Sequence, residues 1–386
     1  MDRRRDLVRL ERFAALVVFL ACAALVPAAV FRALEIPELR EIEVGLDLVD
    51  ELDTRLAALG EAGHQENSWQ VGHLGDSMVV SYPLAKQLPT RLQQEIDQLV
   101  PDAGWIRVHS LASPGMGPFD FYFVADRIAD ARPDQVILPV NLTVLSKAWR
   151  DAFSRPRLGG LLRPSSLPEA VGLPLERIGL TADRLLSYVA VVQAGGLGPW
   201  RDLTARQAKL GVARSWLAGR LSAGFGSEAE ERFAMDVFAY FDLRFTDRSG
   251  RPRLTHQGIQ HRFGPALHGV GPNVPPLELL DAAIRSFRER GIEVLVYTSP
   301  LNVEHIEAVG SDNPTGLART LTSIESVSLR AGGRFIDLHD LLPDAGFRDV
   351  AGHLSTTNTI DGPKQLASRI APIVVETARR ARESRD

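Results

Sequence analysis

The chain has 386 residues, of which 45% are hydrophobic and 24% are charged, so it can bury one large core or two ordinary ones. Its net charge of -4 excludes the strongly basic surface that nucleic acids require, so no nucleic-acid partner is expected. Because Cys22 is the single cysteine, an internal disulfide and a cysteine-based metal site are excluded, and the sequence predicts no metal and no cofactor.

The N-terminus predicts a membrane anchor. Residues 1–12 form a basic tail with five arginines, and residues 13–31 carry no charge. At about 1.5 Å per residue, a helix of this length just crosses a hydrocarbon core of roughly 30 Å. The arginines are expected in the cytoplasm, with everything after Phe31 across the membrane. A cleaved signal peptide and a buried core helix are alternatives, but the apolar run exceeds the usual signal core of about 7 to 15 residues.

Residues 32–66 predict a juxtamembrane amphipathic helix. Leu48, Leu52, Leu56 and Leu59 are among the apolar residues that recur at helical spacing. The acidic residues between them, such as Asp53, are typical of a solvated surface and carry no functional claim.

From residue 67 the sequence predicts one α/β domain that continues to residue 386. Five short apolar runs have the character of strands, at 69–75, 105–112, 134–141, 292–300 and 333–340. Helical patterns follow most of them, at 89–99, 119–131 and 277–290. This alternation predicts a doubly wound parallel sheet covered on both faces, with the ligand at the carboxyl ends of the strands.

The first predicted strand is followed by an aspartate and a serine, in the stretch VGHLGDSMVV at 71–80. Ser77, like Asp76, can cap the next helix by accepting hydrogen bonds from its first N–H groups. Alternatively, Ser77 is a nucleophile on a tight turn, with Gly75 letting the backbone bend sharply. The second interpretation requires a base and an oxyanion hole elsewhere in the chain.

Two later strand ends carry hydrogen-bond donors. Gly115 and Gly117 follow the second strand, and Asn141 follows the third. A glycine at such a position is most often part of a turn, and an asparagine most often a local cap. A glycine N–H and an asparagine amide are also the donors that an oxyanion hole needs, and these donors share the sheet edge with Ser77.

The last loop before the final helix supplies an acid and a histidine. Asp349 and His353 precede an apolar-periodic helix that begins near Pro363. Histidine can take a proton from serine near neutral pH, and a carboxylate at its other nitrogen fixes the tautomer. With Ser77, the sequence therefore contains the residue types of a serine, aspartate and histidine triad.

These segments resemble the four sequence blocks of the SGNH, or GDSL-like, hydrolases. The matching stretches are GDSM at 75–78, SLASPGMG at 110–117, ILPVNLT at 137–143 and the acid with HL at 349–354. The resemblance spans the sheet-forming parts of 69–372 and leaves out the middle of the chain. It implies a flavodoxin-like three-layer α/β/α sandwich with about five central strands, and a serine esterase or acyltransferase activity.

The resemblance also implies a role for each matched residue. Ser77 is the nucleophile, His353 is the base, and Asp349 is the acid that orients the histidine. The backbone N–H groups of Ser77 and Gly115, with the side chain of Asn141, form the oxyanion hole.

The sequence departs from the family's pattern in three places. Three residues rather than two separate Asp349 from His353, so the loop must bulge or another acid, such as Asp361, must serve. The block around Asn141 lacks the usual small residue and following acid. The glycine block offers two candidates, and Gly115 is preferred over Gly117 because a proline then begins the next helix.

Residues 149–273 predict a helical insertion relative to a minimal sandwich. Three stretches have helical patterns, at 185–196, 206–221 and 230–245. The insertion follows the third strand, so it either forms a lid or wall over the ligand end of the sheet or simply stabilises the fold. His256, His261 and His268 fit no common zinc spacing, and we interpret them as loop histidines.

The anchor and the insertion resemble, more loosely, SGNH proteins that accompany membrane-bound O-acyltransferases in the acylation of exported polysaccharides. This implies an acylated saccharide or other ester as substrate, a membrane-bound O-acyltransferase as partner, and a single-pass inner-membrane protein with a periplasmic domain. The alternative is an inactive anchored scaffold that binds the polysaccharide or the acyltransferase. Hydrolysis and transfer stay open, because both use the same covalent intermediate.

Overall fold

The computed structural model describes residues 51–62, 68–101, 103–146, 241–246, 252–348, 352–357 and 359–384. The strands are β1 Trp69–His73, β2 Ile106–Ser110, β3 Gln135–Val140, β4 Phe241–Thr246, β5 Pro252–Leu254, β6 Glu293–Thr298 and β7 Arg334–Ile336. The helices are α1 at 51–62, α2 Ser77–Val80, α3 Leu88–Leu99, α4 Pro118–Asp130, α5 His256–His268, α6 Pro275–Glu289, α7 Val303–Ala308, α8 Pro314–Arg330 and α9 Gly362–Glu383.

Five strands form one parallel sheet in the order β2-β1-β3-β6-β7. All five coincide with the predicted strands, which confirms the α/β class and the parallel sheet. Counted within this sheet, the order is 2-1-3-4-5, and the chain reverses its direction of progress between β1 and β3. In doubly wound sheets ligands bind at the carboxyl ends of the strands beside this reversal. Ser77 follows β1 and Asn141 follows β3, so both lie at that point.

Alternation along the central strands builds a hydrophobic core on each face of the sheet. Val136 and Leu138 of β3 pack into one core with α4, α6 and α8. Ile137, between them, points to the opposite face and packs into a second core with α3 and α9. Because successive side chains of a strand point to opposite faces, one apolar run supplies both cores. The described residues therefore form three layers, with helices on both sides of the sheet.

The described part of the predicted juxtamembrane segment is the helix α1. Its apolar stripe of Leu52, Leu56 and Leu59 is buried in the core that contains α4. Arg55 donates to the carbonyl of Ala112 across 2.7 Å, just after β2. This segment is therefore part of the packed α/β unit, a contact that its own periodicity could not specify.

Residues 241–246 correct one prediction within the insertion. The helical pattern predicted at 230–245 covers all but the last of them, but they form β4 and pair antiparallel with β5. Apolar residues alternate with polar ones from Phe241 to Phe245, which is the periodicity of a strand. The other stretches of the predicted insertion up to residue 240 lie outside the described residues.

The three histidines predicted to lie in a loop belong instead to a helix, α5. Thr255 caps this helix by accepting a hydrogen bond from the N–H of Gly258 across 3.2 Å. Two glycines and a proline weaken the helical signal in the sequence. The helix forms because it buries an apolar face that includes Ile259 and Phe263.

The predicted anchor, residues 13–31, lies outside the described residues. Among the residues that the structure describes, no helix is long and apolar enough to cross a bilayer.

Candidate active site

A sharp turn joins the end of β1 to the start of α2. Gly75 in this turn has a φ of +145°. A Cβ atom there would lie 2.4 Å from Cγ2 of Val79 and 2.8 Å from Cγ of Pro139. Both the backbone conformation and the lack of space require glycine. The turn that precedes Ser77 thus packs against the end of β3, which contains Pro139.

Asp76, rather than Ser77, caps the helix α2. The Asp76 carboxylate accepts a hydrogen bond from the N–H of Met78 across 2.8 Å. Ser77 is the first residue of the helix and is partly exposed, and its hydroxyl makes no hydrogen bond within the described residues. The capping interpretation therefore applies to the aspartate, and the serine hydroxyl is left available for another use.

Asn141 is locked in one orientation at the end of β3. Its side-chain oxygen accepts hydrogen bonds from the N–H and the hydroxyl of Thr143, across 3.1 and 3.0 Å. Its Nδ2 donates to the Asp76 carboxylate across 2.9 Å and lies 3.3 Å from the sulfur of Met78. A thioether is a weak acceptor, so the second N–H of this amide can donate to a stronger acceptor, such as a substrate oxygen, without a change in its orientation.

The two glycine candidates differ in how their N–H groups are used. Gly115 has a φ of +81° in the turn after β2, and this turn is tied to the first by a 2.9 Å bond from the N–H of Ser113 to the carbonyl of Gly75. The N–H of Gly117 instead donates to the carboxylate of Asp120 across 3.0 Å, at the start of α4. Gly115 is therefore the better candidate for an oxyanion donor.

The loop that contains His353 packs against the residues that follow this turn. The N–H of Leu354 donates to the hydroxyl of Tyr82 across 2.7 Å, and the carbonyl of His353 accepts from the N–H of Arg348 across 2.7 Å. A Cβ atom on Gly352 would lie 3.9 Å from the sulfur of Met78. The loop and the start of α2 are thus in close contact.

Of the two acids considered for this loop, only one is described. Asp349 lies outside the described residues. Asp361 caps α9 by accepting from the N–H of Lys364 across 3.1 Å, and it forms an ion pair with Arg91. Its side chain is therefore committed to the start of α9.

Asp76 is a buried ionisable residue of the site. Burial raises the pKa of its carboxyl above the ordinary value, while the bonds from Asn141 and Met78 and the charge of His353 act in the opposite direction. Burial likewise raises the pKa of Tyr297, and the charge of Asp76 adds to this effect. The sequence analysis considered Asp76 as a cap only, and its bond to Asn141 shows that it also orients a candidate oxyanion donor.

A second acid and histidine pair, missed in the sequence analysis, lies at the end of β7. Nδ1 of His339 is 2.9 Å from the Asp337 carboxylate, and this bond raises the pKa of His339. The signal was present as DLH within the predicted strand 333–340, and the strand of the structure ends just before it, at Ile336. In the sheet order β7 is three strands from β1, or roughly 14 Å, and His339 follows the end of β7 by only three residues.

No protein-family model matches the chain, and no curated protein matches it. The candidate site is accordingly defined by its motifs and by its geometry. It comprises the ends of β1, β2 and β3 and the loop at 352–354, which meet beside the reversal of the sheet.

Proposed function

We propose that the protein is a membrane-anchored, extracytoplasmic serine esterase or O-acyltransferase of the SGNH type, acting on acyl esters of an exported or envelope polysaccharide. One observation carries the proposal. The hydroxyl of Ser77 is left unused by the helix cap, on a turn that adjoins Asn141 and the loop of His353. The flavodoxin-like strand order supports it, because such sheets bind ligands at this place.

In the proposed mechanism Ser77 is the nucleophile and His353 the general base. The serine oxygen attacks the ester carbonyl while His353 takes its proton, and Asp349 fixes the tautomer of the histidine. The N–H groups of Ser77 and Gly115 and the amide of Asn141 stabilise the negative oxygen of the tetrahedral intermediate.

Collapse of this intermediate expels the sugar oxygen, which takes the proton from His353, and leaves the acyl group on Ser77. A second hydroxyl compound, deprotonated by His353, then attacks the acyl-enzyme and releases the serine. Water gives hydrolysis, and a sugar hydroxyl gives transfer. A membrane-bound O-acyltransferase is the proposed partner, and residues 13–31 are the proposed contact with the bilayer.

Turnover of p-nitrophenyl acetate by the full-length protein in detergent tests the proposal. Ser77→Ala is expected to reduce kcat at least a thousandfold, since the nucleophile is lost. Ser81→Ala is the matched control, because it removes a serine hydroxyl from the residue that ends the same short helix. Equal activity of the two variants contradicts the mechanism. If neither they nor the native protein turns over any ester while polysaccharide binding persists, the scaffold alternative applies.

The topology is tested separately with a reporter that is active only outside the cytoplasm. Fused after Asp386, the reporter is expected to be active, because the arginines of residues 1–12 favour a cytoplasmic N-terminus. If a second reporter, which is active only in the cytoplasm, is active when fused at the same position, the proposed orientation is contradicted.

A further inference from the structure

A narrow pocket opens next to the candidate oxyanion donor. Asn141, Met78 and Gly352 line the end of the pocket that adjoins the site. Met78 follows the candidate nucleophile in the chain, and Gly352 precedes the candidate base. The pocket therefore begins where the acyl carbon of a substrate would be held.

The walls of the pocket are apolar and come from two parts of the chain. Leu254 at the end of β5 and Ile259 and Phe263 of α5 form one wall. Leu301 and Ile306, after β6, supply the rest of the aliphatic lining. All five side chains are buried, with at most 6% of their surface exposed. An alkyl chain in contact with these side chains would be removed from water.

The pocket is small. The part of it that a water molecule can enter measures about 30 Å³, which is room for about two water molecules. This space suits a short acyl group of about two to four carbons, whereas a longer chain has to displace the ring of Phe263 or Leu254.

Apart from Asn141, the polar side chains in the lining are already paired within the protein. Nε2 of His305 is 3.0 Å from the carbonyl oxygen of Leu254, and Nδ2 of Asn302 donates to Asp344 across 2.8 Å. The side-chain oxygen of Asn302 accepts from the N–H of His305 across 3.1 Å.

Burial lowers the pKa of His305, which keeps the ring neutral. No charged side chain lines the described part of the pocket, and Arg253, which is 3.4 Å from Nδ1 of His305, is paired with Asp344. A charged acyl group would therefore be buried without a free counterion.

We propose that this pocket binds the acyl group of the ester and selects short, uncharged alkanoyl groups, with Phe263 setting the upper limit of chain length. The proposal rests on the proposed function and goes beyond it by naming the acyl group. It assigns specificity to β5 and α5, which the sequence analysis placed in the insertion.

A series of p-nitrophenyl esters, hydrolysed by the full-length protein in detergent, tests this proposal. For the native protein we expect kcat/KM for the octanoate to be at least tenfold below that for the butyrate. Phe263→Ala is expected to raise the ratio of octanoate to acetate at least tenfold, since each extra buried methylene is worth about fourfold. The ratio is used because a loss of folded protein affects both esters equally.

Leu267→Ala is the matched control, because Leu267 is equally buried on the same helix and does not line the pocket. It is expected to leave the ratio unchanged. If Phe263→Ala does not fold, Phe263→Leu replaces it, with an expected rise of about threefold. The mono-p-nitrophenyl ester of succinic acid, similar in length to the butyrate but charged, is expected to react at least a hundredfold more slowly than the butyrate.

This proposal is overturned if a folded Phe263→Ala protein has an unchanged ratio of octanoate to acetate hydrolysis, or if the native protein prefers the succinate ester. In either case the proposed function stands as long as hydrolysis depends on Ser77. If Ser77→Ala keeps the esterase activity of the native protein, both the proposed function and this proposal are contradicted.

Discussion

The side-chain amide of Asn141 donates a hydrogen bond to the buried carboxylate of Asp76 across 2.9 Å. This bond joins the ends of β3 and β1 at the reversal of the sheet. Two donors from Thr143 occupy the other end of the amide, so its N–H groups must face the turn that carries Ser77. The helix cap, the strand end and the candidate oxyanion donor thus form one hydrogen-bonded unit.

The first prediction concerns this donor. Asn141→Ala is expected to lower kcat by about 10² to 10³ with little change in KM, the loss typical of one oxyanion donor. Thr143→Val removes only one of the two bonds that orient the amide, so it is expected to cost less than about tenfold. Steady-state kinetics on p-nitrophenyl acetate distinguish the two. Equal kcat values for Asn141→Ala and the native protein would contradict the role of Asn141 as an oxyanion donor.

The second prediction concerns the turn before Ser77. Gly75→Ala is expected to destabilise the protein by about 3 kcal/mol, because the new methyl group meets Val79 and Pro139 in an unfavourable backbone conformation. Denaturant unfolding followed by tryptophan fluorescence measures this change. Gly104→Ala is the control, since a Cβ atom there meets nothing within 4 Å. Similar unfolding midpoints for the two variants would contradict the account of the turn.

The third prediction separates the two acids of the last loop. Asp361→Ala is expected to cost about 1 to 2 kcal/mol of stability, because it removes the cap of α9 and the partner of Arg91, and to leave kcat within about threefold. Asp349→Asn is expected to lower kcat by orders of magnitude at nearly unchanged stability, if that carboxylate orients His353. The reverse pattern would make Asp361 the acid.

The fourth prediction concerns pH and the buried His73. Burial lowers the pKa of His73 from 6.5 to about 4, although the bond from its ring to the carbonyl of Leu74 acts in the opposite direction. Between these two values the unfolded chain binds a proton that the folded protein does not. Stability contributed by the neutral ring is therefore complete above about pH 6.5 and falls by about 3 kcal/mol as the pH drops to 4.

His73→Leu is expected to remove this part of the pH dependence. The comparison is made by denaturant unfolding of both proteins at pH 7 and at pH 4.5. If the free energy of unfolding changes by the same amount between pH 7 and pH 4.5 in the native protein and in His73→Leu, His73 is not the group that titrates.

The sheet was predictable because its strands are buried on both faces. Continuous apolar runs such as the one in β3 leave few other structures open, and their order along the chain with intervening helices implies parallel pairing. Other elements depend on contacts that the local sequence does not contain. The helix α5 forms in spite of Gly264 and Pro265 because it buries Ile259 and Phe263.

The residue types of the candidate site can be found in the sequence, but the contacts between these residues cannot. Aspartate and serine are equally good caps, so the local sequence does not decide which of Asp76 and Ser77 caps the start of the helix. Asp76, and not Ser77, caps the helix and also accepts a hydrogen bond from Asn141, which lies 65 residues further along the chain. Such a bond depends on β1 and β3 being neighbours in the sheet, and no local pattern encodes that.

The central claim is that Ser77 is a reactive nucleophile, and a covalent probe tests it most directly. The full-length protein in detergent is treated with a fluorophosphonate and digested, and the modified residue is located by mass spectrometry. We predict a single adduct on Ser77, its loss in Ser77→Ala and its retention in Ser81→Ala. Equal labelling of Ser77→Ala, or no adduct on a folded native protein, would contradict the account.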